Sequence, residues 1–325
     1  MAAKVLVTDH VFEDLETERS ILEPRGAEVV LAPGTGEADL IEAARDCEAM
    51  LVCFAKVPES VIAAAVDGGC RIISRYGIGY DNIDIAAATE RGLLVTYVPD
   101  YCLDEVADHS LALLLALARG VHHAGLAVRD GDWTVPQGAV HRLRGRRIAV
   151  IGVGGVGIRV AERAQAFGIE VVGFDPYVDD WSTIPAEPAQ SFEEAVAEAD
   201  FVSLHVPLTE ESRHLVDAAS IAGMRRAPII VNTARGPLVD ADAAVAALDS
   251  GALGGVALDV TEAEPPPPDH ALRTHPRAVL TPHMAFYSVE AQAELQRRAA
   301  EEVARALAGE PPDRPVNPEV LATRS

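Results

Sequence analysis

The stretch IAVIGVGGVGIRVAERAQAFGIEVVGFDP, residues 148–176, decides how the rest of the chain reads. Ile148-Ala149-Val150-Ile151 is a short apolar run of the kind that forms a strand buried on both faces. Gly152, Gly154 and Gly157 follow at once in G-x-G-x-x-G spacing. Val156, Val160, Ala161, Ala164 and Phe167 then recur at helical intervals, and Gly168 stops the helix. A second strand, Val171-Val172-Gly173-Phe174, ends at Asp175.

Each part has a physical task. Gly152 permits the tight turn, Gly154 lets a pyrophosphate approach the backbone, and Gly157 allows close packing of the helix on the sheet. The loop residues Gly155 and Val156 open the helix, whose free N–H groups and dipole favour phosphate. Asp175 stands 18 residues after Gly157, where a carboxylate accepts from an adenosine ribose hydroxyl. A 2′-phosphate there meets like charge, so the expected cofactor is NAD rather than NADP. Strand, helix, second strand and acidic terminus in order make this a dinucleotide-binding unit and not a structural glycine turn.

Working outward, a chain of 325 residues has room for two domains with separate cores. Before about Asp100, short apolar runs alternate with helical patterns, as in a parallel sheet covered by helices. Expected strands are Lys4–Thr8, Ala27–Ala32, Ala49–Phe54, Arg71–Arg75 and Leu93–Val98. Expected helices are Glu37–Cys47, Pro58–Val66 and Ile83–Arg91. From Asp104 a long helix runs through His109 and Leu117, and Val121–Arg129 reads as a second, both outside the nucleotide-binding sheet where a partner subunit can cover them. After Asp175 the alternation resumes and ends in a helix from Ser288 to Leu307 and a proline-rich tail. That last helix is expected to return to the first domain.

Composition narrows the function classes. The 50 acidic against 27 basic residues give a formal net charge of −23, which repels nucleic acid and anionic membranes. No apolar run approaches a membrane span, and MAAKVLVTDH enters a strand without a signal-peptide pattern, so a cytoplasmic location is expected. Cys47, Cys53, Cys70 and Cys102 lack C-x-x-C spacing, and His122 and His123 point to different helix faces, so no metal site is expected.

In open α/β sheets ligands bind beyond the carboxyl ends of the strands. Arg235 in NTARG, Glu264 beyond ALDV and His283 in LTPH occupy such ends. An arginine holds a carboxylate by paired hydrogen bonds. A histidine passes a proton to a carbonyl oxygen as hydride arrives, and a neighbouring carboxylate stabilises its imidazolium. Asp259, at its own strand end, is placed to accept from a nicotinamide amide. Singly each has a structural explanation; together, after a dinucleotide fold, they read as a catalytic set.

At these residues the chain resembles the D-isomer-specific 2-hydroxyacid dehydrogenases, nearly end to end, through GVGGVG, FDP, HVPLT, NTARGPLVD, GALGGVALDV with its following EP, and TPH. RYGIGYDNIDI, VPDYCLDEVADHS, FDPY and HMAFYS make it most similar to the C-terminal-binding-protein branch. The resemblance implies an α/β fold of two doubly wound parallel-sheet domains. A flavodoxin-like substrate domain (1–100 plus 289–325) is interrupted by an inserted Rossmann domain (101–288), with the cleft between them and a homodimer formed through the Rossmann domains. It implies Arg235, Glu264 and His283 as the catalytic set, and His205, Val206, Pro207, Thr233 and Ala234 as further cofactor contacts. Backbone groups of Ile78 and Gly79 would hold the substrate carboxylate, with Arg75 close by. Two residues depart from the pattern: Gly155 stands where Arg or Lys is frequent, and Phe286 where the corepressor branch has tryptophan.

Arg75 and Lys56 are the expected determinants of specificity. With Arg235 they would suit a doubly anionic 2-oxo acid, whether dicarboxylate, phosphorylated or phosphonylated. Phe286, Tyr101 and Tyr76 would argue instead for an apolar side chain. The expected function is NAD-dependent reduction of a small anionic 2-oxo acid; the alternative is an NAD(H)-sensing, corepressor-like scaffold with little catalysis.

Overall fold

The computed structural model describes residues 2–135 and 140–322, which form two compact units: Met1–Tyr101 with Ser288–Ser325, and Cys102–Tyr287. In the first unit, strands β1 (Ala3–Val7), β2 (Ala27–Leu31), β3 (Ala49–Val52), β4 (Ile72–Arg75) and β5 (Leu94–Thr96) form a five-stranded sheet ordered β2-β1-β3-β4-β5. All pairs are parallel. This is the flavodoxin-like order, and it explains why these strands read as continuous apolar runs: helices cover both faces.

Strands end earlier than their apolar runs suggest, for identifiable reasons. The run beginning at Ala49 leaves the ladder after Val52 because the N–H groups of Cys53, Phe54 and Ala55 donate to the Asp9 carboxylate at 3.2, 2.7 and 3.1 Å. On the edge strand β5, Asn317 from the tail accepts from Val95 N–H and donates to the Leu93 carbonyl. The side chain thus covers an edge that would otherwise offer free backbone groups.

One helix, Glu16–Leu22, has no counterpart in the sequence reading. Its inward face carries Glu18, which is fully buried, so the apolar periodicity that marks a helix is interrupted. Glu18 accepts from the Tyr76 hydroxyl at 2.8 Å and from Gln296 on the long helix Val289–Leu307. Burial pushes the Glu18 carboxyl up, and these hydrogen bonds only partly offset it.

The second unit adds β6 (Arg147–Ile151), β7 (Glu170–Phe174), β8 (Glu187–Pro188), β9 (Phe201–Leu204), β10 (Ile229–Asn232), β11 (Gly255–Leu258) and β12 (Ala278–Leu280). They form a seven-stranded parallel sheet in the order β12-β11-β10-β9-β6-β7-β8. Strand order reverses between β6 and β9, which is the switch point where a Rossmann sheet opens its ligand crevice. Helix Leu103–Ala118 spends its apolar face within the unit, burying Ala107, Leu111, Leu113 and Leu114 with Ile148, Val150 and Val231 of the sheet. Helix Val121–Arg129 buries no residue and leaves Val121, Leu126 and Val128 exposed.

Candidate active site

The glycine loop lies at the switch point. β6 ends at Ile151, and helix Gly155–Ala166 starts with Gly154 as its N-cap. A Cβ on Gly157 would strike the Gly152 carbonyl, so only glycine lets the first helical turn sit this close to the loop. A Cβ on Gly154 would meet nothing, which leaves that face of the loop clear for a ligand. Gly155 is crowded from the other side: its Cβ would lie 3.1 Å from Leu103, the first residue of helix Leu103–Ala118. A side chain at this position would need the Leu103 side chain to give by a few tenths of an ångström. Asp175, just past β7, accepts from Val153 N–H at 3.1 Å and Tyr177 N–H at 3.0 Å, tying the acidic strand end to the glycine loop.

The neighbouring strand ends complete the cofactor side. His205, Val206 and Pro207 follow β9, and His205 N–H donates to the Ile151 carbonyl at 2.7 Å. Burial pushes the His205 imidazole down to about 3, so it contributes no charge beside the phosphate loop. Its Nε2 shares a 2.8 Å hydrogen bond with Ser203. Thr233 and Ala234 follow β10, and Thr233 Oγ1 is 2.8 Å from Ser110 Oγ on helix Leu103–Ala118.

Arg235 is set by a turn that Asn232 holds at both ends. Asn232 Nδ2 donates to the Arg235 carbonyl at 2.7 Å, and its Oδ1 accepts from Ala234 N–H at 3.0 Å. Asn232 is fully buried, and sequence reasoning passed over it as part of a strand. A Cβ on Gly236 would overlap the Thr261 carbonyl, so glycine brings the Arg235 turn against the segment leading to Glu264. Glu264 Oε2 lies 2.7 Å from His283 Nδ1, while its Oε1 accepts from Thr261 N–H at 3.1 Å. The carboxylate is thus fixed on its own loop before it meets the imidazole. With Nδ1 engaged by Glu264, a proton that the ring passes on would leave from Nε2. The Phe286 ring stands edge-on to His283, 6.4 Å between centroids.

Asp259 is placed by sequence to face a nicotinamide amide, yet its side chain is closed off from solvent. It accepts from Thr281 Oγ1 at 2.5 Å, Met284 N–H at 3.0 Å and Ala285 N–H at 2.8 Å. Burial pushes this carboxyl up, but the hydrogen bonds, among them one from His109, outweigh it and hold the group at about 2. The carboxylate turns inward because the loop after β12 supplies it with donors.

The remaining candidates belong to the first unit. Arg75 ends β4 and is buried, with its guanidinium carbon 5.8 Å above the centre of the Phe54 ring. A Cβ on Gly77 would fall on that guanidinium. Ile78 and Gly79 follow and are partly open. Lys56 is exposed, and Tyr101 is 8% exposed. Tyr76 is 1% exposed, with its hydroxyl on Glu18, and packs in the core of its unit. Among the described residues, no three His, Cys, Asp or Glu side chains group as metal ligands, and no single helix is long and apolar enough to cross a membrane.

A Rossmann sheet with a phosphate loop at its switch point, an acidic second strand end and a histidine–carboxylate pair at the same edge defines an NAD-binding oxidoreductase. The model of the NAD binding domain of D-isomer specific 2-hydroxyacid dehydrogenases matches residues 111–285. A D-3-phosphoglycerate dehydrogenase from Methanocaldococcus jannaschii is 38% identical over 97% of this chain and 59% of its own length. A glyoxylate reductase from Thermofilum pendens is 36% identical over 88% of this chain and 86% of its own. Among solved structures, the TT0316 protein from Thermus thermophilus superposes with a TM-score of 0.87 at 35% identity, covering 96% of this chain and 99% of that one. The chain belongs to the D-isomer specific 2-hydroxyacid dehydrogenase family. It spans little more than half the length of the phosphoglycerate dehydrogenase it matches.

Proposed function

We propose that this chain reduces a small anionic 2-oxo acid to the D-2-hydroxy acid with NADH. The observation that carries the reading is the 2.7 Å Glu264–His283 pair at the edge of a sheet built for a dinucleotide. Bound NADH would supply the hydride. Arg235 would grip the substrate carboxylate with its planar fork, and the Ile78 and Gly79 backbone would add neutral donors. His283 would deliver its Nε2 proton to the carbonyl oxygen while Glu264, accepting from Nδ1–H, keeps the ring oriented.

Arg75 supports a substrate with a second anionic group. Its guanidinium is desolvated and stacked on Phe54, and an arginine so placed binds carboxylate or phosphate better than a hydrated surface lysine does. Lys56, exposed, is the weaker contributor. The phosphoglycerate dehydrogenase and glyoxylate reductase among the relatives bracket the choice between a phosphorylated and a minimal side chain. Steady-state kinetics with NADH on glyoxylate, pyruvate, oxaloacetate, phosphohydroxypyruvate and 4-methyl-2-oxopentanoate tests this. The doubly anionic acids are expected to show kcat/KM at least about tenfold above the apolar one. Equal values would remove Arg75 from specificity, and NADH binding without turnover of any 2-oxo acid would favour the sensing scaffold.

The exposed helix Val121–Arg129 supports a homodimer through the second unit. Beside it, Ala112, Leu115, Ala116, Val121, Val135 and Phe167 line an open apolar groove of about 950 Å³. An apolar surface of this kind, rimmed by arginines, is the mark of an association site. Sedimentation velocity is expected to give twice the chain mass, and a monomer at micromolar concentration would count against it.

A further inference from the structure

We propose that His109 is a positioning residue for His283, acting through Thr281 and Asp259; this rests on His283 being the proton donor. His109 lies in helix Leu103–Ala118, 172 residues from Thr281 in sequence, with its ring only 20% exposed. Its Nε2 is 3.0 Å from Thr281 Oγ1 and 3.5 Å from Asp259 Oδ1. Thr281 has one hydroxyl proton, and at 2.5 Å that proton goes to Asp259, an acceptor only. The His109–Thr281 contact must then use a hydrogen on His109 Nε2. The neutral Nε2–H tautomer and the imidazolium both provide it, so the contact survives either charge state of His109.

The chain then reaches the proton donor. Asp259 accepts from the N–H groups of Met284 and Ala285, the two residues directly after His283. Its own carbonyl accepts from His283 N–H at 2.8 Å. His283 thus has the same residue on both sides, and it needs this, because its φ is +49°, in the left-handed region that a side chain adopts at a cost. Met284 and Ala285 bond to different oxygens of the Asp259 carboxylate, so rotating it would disturb both bonds. Thr281 and His109 fix the Oδ1 side of that carboxylate. Nothing in the cofactor loop takes part. Removing the His109 donor should therefore loosen the His283 turn and leave dinucleotide binding unchanged.

The test uses the full-length protein with His109→Leu, His109→Gln and Thr281→Val, each made also in a His283→Ala background. His109→Leu is expected to lower kcat about tenfold, the scale of a sub-ångström misplacement of a reacting group. The substrate KM and the NADH Kd should stay within about twofold. His109→Gln, which keeps an N–H donor, should recover at least half of the rate. In the His283→Ala background, His109→Leu should have no further effect. Amide hydrogen exchange at Met284 and Ala285 should quicken in His109→Leu and Thr281→Val, whether or not the protein reduces any acid tried. Unchanged exchange, an undiminished kcat, or an equal loss in both backgrounds would overturn the proposal. Should His109→Leu fail to fold, Thr281→Val carries the same comparison. A wild-type protein without turnover but with quickened exchange in the variants would refute the proton-donor assignment while keeping the clamp.

Discussion

Replacing His283 with alanine is expected to lower kcat by about 10²- to 10⁴-fold, the usual contribution of a positioned general acid, while NADH affinity stays within about twofold. The separation follows from where the residue sits. The glycine loop and Asp175 lie at the ends of β6 and β7, whereas His283 follows β12, at the far side of β9, β10 and β11. The Glu264 carboxylate keeps its bond to Thr261 N–H when the imidazole is gone, so the loop that carries it should hold its place. Because residue 283 has φ of +49°, alanine adds a small backbone penalty of its own. His283→Asn, which tolerates that conformation better, separates the two effects. Both variants should show the same large loss of kcat, with the asparagine variant melting at the higher temperature. Turnover in either within tenfold of wild type would show that another group supplies the proton.

Arg235→Ala is expected to lower kcat/KM for the 2-oxo acid by about 10²- to 10³-fold, the scale of losing a charge-assisted, paired contact to a carboxylate. Arg235→Lys should recover little of it. A lysine keeps the charge but presents a point donor where a planar fork is needed. The effect should stay local because Asn232 holds the turn through backbone atoms, the Arg235 carbonyl and Ala234 N–H, which neither substitution removes. Stopped-flow binding of NADH, read beside substrate kinetics, checks this. If the loss followed NADH affinity instead, Arg235 would be a cofactor residue, and the substrate carboxylate would need another partner.

Most of the second unit was legible because its signals are local. A strand, three glycines at fixed spacing, a helix and an acidic strand end lie within 29 consecutive residues, and each has a conformation that few other residues allow. The catalytic candidates were legible for a related reason: in a parallel sheet, residues just past the strands share one edge whatever their distance in sequence. Glu264 and His283, 19 positions apart, meet at 2.7 Å on that account. The first unit's strands were legible as apolar runs, but their ends were not. Asp9 takes the N–H groups of residues 53–55, and that competition with the ladder depends on a side chain more than forty positions away.

What the sequence determined by itself was therefore the α/β class, the dinucleotide loop with an acidic residue at the second strand end, and the residue types at the strand ends. Only the tertiary structure decided which way those residues face. A carboxylate at a strand end looks the same in sequence whether it meets a ligand or a loop. Asp259 turns inward because the loop from Thr281 to Ala285 offers it three donors, and an unpaired buried carboxylate would cost far more than the bonds it makes. His109, a polar residue on a largely apolar helix, gains a place beside Thr281 and Asp259 by packing that no spacing rule encodes. Local chemistry is written in short motifs; the direction of a side chain is settled by donors and acceptors brought together from distant parts of the chain.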